Sequence, residues 1–165
     1  MWNQNLGLVI VGLILGGFLP HSPIHGTVTD RNDPMAMATV EVDSGLEAVF
    51  FLDSRNGDLT GTVFNSAKQP PVVGVTYRYN VLKDLEVTAA NPKFLMVAGK
   101  FPLNSAGGVT QFAPSVIYVY EVDSGKTAMY GIPFNKDGLS RSAGANVALT
   151  MLWAGPFPYL KGFVR

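Results

Sequence analysis

Residues 46–65 read LEAVFFLDSRNGDLTGTVFN, and this stretch decides the fold class of the chain. Two largely apolar runs, Leu46–Asp53 and Asp58–Asn65, flank the turn sequence Ser54-Arg55-Asn56-Gly57. An Asn-Gly pair between such runs is the strongest short signal for a β-hairpin, because both residues tolerate the left-handed backbone of tight turns. The stretch therefore predicts two antiparallel strands.

Similar runs, separated by turn residues, continue in both directions along the chain. They predict further strands over Met35–Val42, Val72–Asn80, Lys93–Leu103, Val116–Val122, Lys126–Phe134 and Val147–Trp153. A second, short helix is expected only within Val81–Asn91, where Pro92 would end it. The stretch 104–114, which contains Gly107-Gly108, is expected to be a loop.

Two pairs of similar segments within the chain, called echoes below, suggest a duplicated unit. The pentapeptide EVDSG occurs at 41–45 and at 121–125, an offset of 80 residues, whereas segment 50–65 is similar to segment 118–135 at an offset of 68. Such self-similarity favours duplication of a four-stranded antiparallel unit similar to a propeller blade. We therefore predict a mainly β protein with an N-terminal apolar α-helix, its antiparallel sheet or sandwich built from two propeller-blade-like units.

The N-terminal segment Leu6–Leu19, LGLVIVGLILGGFL, contains no charged residue, and the first charge in the chain is Asp30. As a helix it would be about 21 Å long, shorter than a hydrocarbon core of about 30 Å. Pro20 and Pro23 would end this helix. We divide the chain into an apolar helix (1–19), a linker (20–34) and an antiparallel β-domain (35–165).

Three destinations are open to this segment: contact with copies of itself, a membrane anchor, and a cleaved signal peptide. A signal peptide fits poorly, because MWNQN has no Lys or Arg and PHSPIHG offers no A-x-A site. Gly12 and Gly16 form a G-x-x-x-G pair that lets another helix approach closely, which favours self-association. The residues expected at this contact are Gly7, Leu8, Ile10, Gly12, Leu13, Leu15, Gly16 and Gly17.

The C-terminal tail, Gly155–Arg165, is too apolar for a free end. Pro156 and Pro158 favour an extended backbone that suits a sheet edge better than a sheet centre. We expect the tail to dock on a sheet edge of a neighbouring subunit, as peptides do in strand addition, with folding back onto its own core as the alternative. The intersubunit residues are predicted to be Phe157, Tyr159, Leu160 and Phe163.

Composition excludes several classes of function. The 12 basic and 12 acidic residues cancel and form no cluster, so the chain lacks the basic patch that nucleic-acid binding requires. No cysteine is present, which excludes thiolate catalysis, disulfides and cysteine-based metal sites. Charged residues make up 15% of the chain, below the roughly 25% of ordinary soluble proteins, which indicates buried contacts between copies.

No catalytic or metal-binding pattern stands out. The two histidines, His21 and His25, are separated by Pro23, which disfavours a helical metal clasp. The acidic turn 53–58 lacks the spacing and the distal Glu of a calcium loop. We therefore expect a protein that is not an enzyme, with no catalytic residues, no metal and no cofactor.

The apolar N terminus, EAVFFLDSRNGDLTG (47–61) and SVIYVYEVDSGKTAMYGIPFN (115–135) resemble a family of small uncharacterised bacterial proteins that pair an export-type apolar segment with such hairpins. The layout is also similar to that of pilins, although it has no basic leader and no Glu inside the apolar segment.

The expected function is that of a structural subunit of a bacterial filament, outside the cell or in the cell envelope. Its partners would be copies of itself, and a membrane during export. The alternative is a membrane-anchored or exported binding module whose β-domain displays the loop 104–114.

Overall fold

The computed structural model describes residues 29–65, 69–103, 110–135 and 144–157, and it shows a mainly β protein. No helix occurs in these ranges, and the predicted N-terminal helix lies outside them. The strands are β1 Thr29–Asn32, β2 Met35–Asp43, β3 Leu46–Asp53, β4 Asp58–Asn65, β5 Val72–Asn80, β6 Phe94–Lys100, β7 Phe112–Glu121, β8 Lys126–Pro133, β9 Ala145–Ala148 and β10 Thr150–Pro156.

The strands form two sheets. The larger has six strands in the order β1-β2-β3-β4-β5-β9, and the smaller has four in the order β10-β8-β7-β6. Neighbouring strands are antiparallel except β5 and β9, which are parallel. Strands β2 to β5 make one four-stranded meander, and β6, β7, β8 and β10 make a second antiparallel unit of four. The predicted β class is thus confirmed.

The core lies between the two sheets and is one cluster of buried apolar side chains from both. Phe50 and Tyr77 of the larger sheet stack with ring centroids 5.4 Å apart. The hydroxyl of Tyr77 donates a hydrogen bond to the carbonyl of Pro133 in the smaller sheet, at 3.1 Å. Burial of these rings, together with the satisfied hydroxyl, fixes one sheet against the other.

Alternation along β3 and β4 explains why the hairpin stretch specifies this packing. Ala48, Phe50 and Leu52 point into the core, as strand periodicity requires, while Phe51 is exposed. Gly61 lies directly opposite Phe50 on β4. A Cβ at Gly61 would overlap the Phe50 ring, so the ring occupies space that only glycine leaves open.

The expectation of a helix within Val81–Asn91 is wrong. This segment forms hydrogen-bonded turns, in which the amide of Leu85 donates to the carbonyl of Val81 at 3.2 Å. Glu86 follows with a φ of 48°, a left-handed conformation that ends the turn and prevents helical propagation. Val81 and Leu85 are both fully buried, so packing of these two side chains holds the turn against the core.

Further boundaries also differ from the sequence-based expectation. Strand β7 begins at Phe112, so the last three residues of the predicted loop 104–114 belong to this strand. Residues 29–32 of the predicted linker 20–34 form β1, which pairs with β2 as the edge of the larger sheet. The single strand predicted over Val147–Trp153 is divided at Leu149, which is buried. The chain turns this side chain into the core and passes from β9 in one sheet to β10 in the other.

Candidate functional site

The predicted assembly residues fall mostly outside the described part of the chain. Gly7, Leu8, Ile10, Gly12, Leu13, Leu15, Gly16 and Gly17 all lie there, as do Tyr159, Leu160 and Phe163 of the tail. Phe157 is described: its side chain is 42% exposed, and its amide donates to the carbonyl of Gly125 at 3.2 Å. Phe157 thus continues the edge that β10 forms beside β8 in its own subunit. The intersubunit role of the tail stays a prediction.

A row of apolar side chains crosses the outer face of the four-stranded sheet. Val97 on β6 lies opposite Tyr118 on β7, Tyr118 opposite Met129 on β8, and Met129 opposite Trp153 on β10. The side chain of Val97 is 50% exposed and that of Trp153 43% exposed. Neighbouring residues of each strand, such as Ala98 and Ala128, point into the core, so this row faces away from it.

A second row of uncharged residues lies beside the first. Leu95 is 49% exposed and lies opposite Tyr120. Tyr120 lies opposite Thr127, and Thr127 lies opposite Gly155. We call these two rows the outer face; it consists of Leu95, Val97, Tyr118, Tyr120, Thr127, Met129, Trp153 and Gly155. None of these residues carries a charge.

Glycines bring the aromatic rings close to the sheet. The Trp153 ring has an atom 3.1 Å from the point that a Cβ on Gly155 would occupy. The Tyr118 ring is similarly 3.2 Å from the corresponding point on Gly99. Each ring therefore fills the space above a neighbouring glycine, which gives the outer face a smooth surface against which another element can pack.

Thr127 is a polar exception within the outer face. Its side chain is 7% exposed, and its hydroxyl has no hydrogen-bond partner among the described residues. A buried hydroxyl left without a partner costs about 1–3 kcal/mol. The low exposure of Thr127 shows that this position is shielded from water in the isolated subunit.

The outer face of the larger sheet is different. Its positions include Thr39, Thr60, Thr62, Thr76 and Arg78, and the exposed apolar residues Met37, Phe51, Phe64 and Val73 lie among them. The hydroxyl of Thr62 donates to the carbonyl of Val75 at 3.1 Å. Mixed polar and apolar character is ordinary for a sheet face in water, whereas the two rows on the smaller sheet contain no charged side chain.

A polar cluster lies where the segment after β5 meets β8. The hydroxyl of Tyr130 donates to the carboxylate of Asp84 at 3.2 Å, and the rings of Tyr79 and Tyr130 are 5.1 Å apart. Burial, and then the negative charge of Asp84, raise the pKa of Tyr130. Burial, and then a hydrogen bond to Asp84, raise the pKa of Tyr79. Both hydroxyls stay protonated at neutral pH, so the hydrogen bond from Tyr130 to Asp84 ties the segment after β5 to β8.

Two open clefts border the larger sheet and hold no recognisable reactive set. One, of about 340 Å³, is lined by Asp58, Thr60, Arg78 and Tyr79. The other, of about 180 Å³, includes Arg55, whose guanidinium is paired with Asp53 at 2.6 Å. That hydrogen bond to Arg55 lowers the pKa of Asp53. The guanidinium of Arg55 in the second cleft is therefore already paired with the carboxylate of Asp53 in its own turn.

Within the described ranges, no three His, Asp or Glu side chains come close enough together to hold a metal ion. The same ranges contain no helix long and apolar enough to cross a membrane. Comparison with protein-family models, with curated proteins and with solved structures finds no match to the chain. The resemblance to small bacterial proteins stays a prediction.

The outer face is absent from the site residues that the sequence patterns predicted. A signal for it is present, because its strands read as continuous apolar runs: FLMVAG at 94–99, IYVY at 117–120, TAMYGI at 127–132 and MLWA at 151–154. Strands that are covered on both sides have this character, whereas strands with one wet face alternate. What the runs do not give is the pairing that brings their outward residues into one surface.

Proposed function

We propose that the chain is a structural subunit that assembles with copies of itself through its N-terminal apolar segment, forming a filament outside the bacterial cell or in its envelope. The observation that carries this proposal is the outer face of the four-stranded sheet. It is apolar, uncharged and uncovered among the described residues. Contiguous apolar surface of this kind is a mark of protein–protein contact.

The composition supports the same proposal. A chain with 15% charged residues has little polar surface with which to keep a large apolar face soluble. The charge-free segment Leu6–Leu19 adds a second apolar element that also needs a cover. In a polymer of identical copies, any charge buried at a contact would recur in every subunit, and burying it unpaired is costly. The absence of charge from both elements suits repeated burial.

The duplication predicted from the echoes is part of the proposal. The two units of four antiparallel strands are what two blade-like repeats would form, with β1 and β9 added at the edges of the larger sheet. We propose that the units descend from one hairpin-based repeat, and that the second has acquired the apolar outer face.

The proposal is tested with the purified full chain and two matched variants. Val97→Lys places a charge on strand β6 of the outer face, where the side chain is half exposed and a lysine can be accommodated without a clash. Thr60→Lys places the same charge on the exposed face of the larger sheet. Sedimentation velocity and negative-stain microscopy measure assembly, and circular dichroism checks the fold.

We expect the unmodified chain and the Thr60→Lys variant to form uniform fibres, and Val97→Lys to remain small while keeping its β spectrum. Dispersed single subunits of the unmodified chain in detergent would overturn the proposal in favour of the anchored binding module. Normal fibres from Val97→Lys would show that assembly does not use the outer face.

A further inference from the structure

We infer that the outer face is the docking site of the chain's own N-terminal apolar segment, Leu6–Leu19. Within a fibre, a neighbouring copy supplies the segment, a point that rests on the proposed function. The contact between the segment and the outer face does not depend on the proposed function. It is argued from the size of both surfaces, the length of the linker and the chemistry of the segment.

The face and the segment match in size. Four strands spaced about 4.8 Å apart, with two rows that each occupy about 7 Å along the strands, give a face of about 19 Å by 14 Å. A helix of the 14 residues Leu6–Leu19 would be about 21 Å long and about 10 Å across. One such helix therefore covers the two apolar rows and leaves little of the face exposed.

The linker is long enough for the contact. The described chain begins at Thr29 in β1, which contacts β6, the strand that carries Leu95 and Val97. The nine residues 20–28 between the segment and β1 span up to about 30 Å when extended. The linker is thus long enough to bring the segment to the outer face of its own subunit.

The chemistry of the segment suits the face better than that of other occupants. Residues 158–165 of the tail number eight and include Lys161 and Arg165, so they would bring charge onto an uncharged surface. Two copies meeting face to face would each cover a footprint of about 270 Å², well below the roughly 800 Å² per partner of a stable complex. The segment Leu6–Leu19 brings no charge onto the face. When it docks on its own subunit, its covalent attachment also removes the need for an interface of that size.

The glycines of the segment add a complementary shape. Gly12 and Gly16 fall four residues apart, so on a helix they would form one stripe without side chains. Trp153 is the bulkiest side chain of the face and is exposed at its edge strand. A glycine stripe would receive this ring closely, which gives the G-x-x-x-G pair a use on a sheet as well as between helices.

Cysteine cross-linking tests the contact directly, because the full chain contains no cysteine of its own. Leu13→Cys marks the middle of the segment, and Val97→Cys marks the outer face on its edge strand β6. Thr60→Cys, on the outer face of the larger sheet, is the matched control. To detect links between chains, a tagged chain with Leu13→Cys is co-expressed with an untagged chain that carries Val97→Cys or Thr60→Cys. To detect links within a chain, Leu13→Cys is combined with Val97→Cys, or with Thr60→Cys, in the same chain. Mild oxidation is followed by non-reducing electrophoresis and mass spectrometry.

We expect a disulfide between Leu13→Cys and Val97→Cys, and several-fold less with Thr60→Cys. Equal cross-linking to both positions, or none to Val97→Cys, would overturn the inference. The cross-linked species also distinguishes the docking site from the filament. A disulfide-linked dimer of a tagged and an untagged chain supports both proposals. A disulfide found only within one chain of the double variant, with the protein remaining monomeric, supports the docking site and overturns the filament. Fibres without any link to Val97→Cys overturn the docking site alone.

Discussion

Asp53 and Glu121 hold equivalent places at the ends of β3 and β7. In each case the residue four positions later is a glycine, Gly57 or Gly125, with φ near 70° (68° and 70°). The glycine amide donates back to the carbonyl of the acidic residue, at 2.8 Å for Gly57 and 3.0 Å for Gly125. The two residue pairs are offset by 68 positions, so residue-level geometry reproduces the longer of the two echoes.

Replacing Gly57 tests how strictly this turn needs glycine. Gly57→Ala would combine a left-handed backbone with a Cβ 2.5 Å from Cγ of Leu82. Gly45 also has positive φ (72°) but nothing within 4 Å of its Cβ position, so Gly45→Ala is the matched control. We expect Gly45→Ala to lower the free energy of unfolding by about 1–2 kcal/mol. Gly57→Ala should cost about 1–3 kcal/mol more, because Leu82 is displaced.

Urea denaturation of the three proteins measures the difference. An equal loss in the two variants would mean that Leu82 moves aside at no cost, and that positive φ alone decides both positions.

Glu121 makes stability depend on pH. Its side chain is 2% exposed, and this burial raises the pKa of the carboxyl. Amides that donate to the carboxylate, from Ser124 at 2.6 Å and Asp123 at 3.2 Å, outweigh burial, so the pKa lies below the ordinary value of 4.5. Because the folded-state pKa is depressed, its stabilising contribution is complete above the unfolded pKa and is lost as pH falls through the folded pKa.

We therefore expect Glu121→Gln to be less stable than the unmodified chain at pH 7, with the difference shrinking below about pH 4.5. Urea titrations at several pH values measure this difference. A constant gap across the acidic range would show that the carboxylate charge is not what the turn amides stabilise.

At the scale of elements, the pentapeptide EVDSG forms two different turns. At 41–45 strand β2 continues to Asp43, and a two-residue turn, Ser44-Gly45, leads into β3. At 121–125 strand β7 ends at Glu121, and the turn takes four residues before β8. Identical residues thus give different loop lengths, because the register of the flanking strands decides where pairing stops. The echo at offset 68 also relates topologically equivalent hairpins, since β3–β4 and β7–β8 are the central pairs of their units.

Alternation and turn residues predicted most strands within a few residues, because both are local signals. The elements that were missed depend on strand pairing rather than on a pattern within their own residues. Strand β1, TDRN, has no apolar alternation and exists through pairing with β2. Strand β9 is held by parallel pairing with β5, some 70 positions away. Acidic and leucine residues in 81–91 favour a helix, but the left-handed backbone of Glu86 limits the segment to turns.

The segment after β5 is fastened to the smaller sheet by two contacts of unequal weight. Asp84 accepts a hydrogen bond from the buried Tyr130, whereas Glu86 pairs with Lys126 on the surface and is 77% exposed. We expect Asp84→Ala to lower the free energy of unfolding by about 1–2 kcal/mol, because the Tyr130 hydroxyl loses its acceptor. Glu86→Ala, the control, should change it little, since exposed ion pairs contribute weakly.

Thermal or urea unfolding provides the measurement. A loss for Glu86→Ala as large as that for Asp84→Ala would contradict this ranking, and it would assign the fastening to the surface pair.

At the scale of the whole molecule, the two sheets differ in what they present to their surroundings. The sequence revealed the apolar segment Leu6–Leu19 and the shortage of charge, which together predicted contacts between copies. It did not reveal where the receiving surface lies, because Val97, Tyr118, Met129 and Trp153 come together only through the pairing of four strands. A face of this kind is a product of register, and register depends on the complete fold.

Trp153 offers a direct measure of whether the outer face is covered in the complete protein. The chain has two tryptophans, Trp2 and Trp153, so Trp2→Phe leaves Trp153 as the sole emitter. A chain that begins at Thr29 also contains only Trp153, and it keeps the single buried core, whose members extend from Ala36 to Leu149. If Leu6–Leu19 packs on the outer face, acrylamide should quench Trp153 markedly less, and its emission should lie further to the blue, in the full-length variant than in the shortened chain. Equal quenching in an assembled full-length sample and a folded shortened one would show that Trp153 stays open to water, and that assembly buries some other surface.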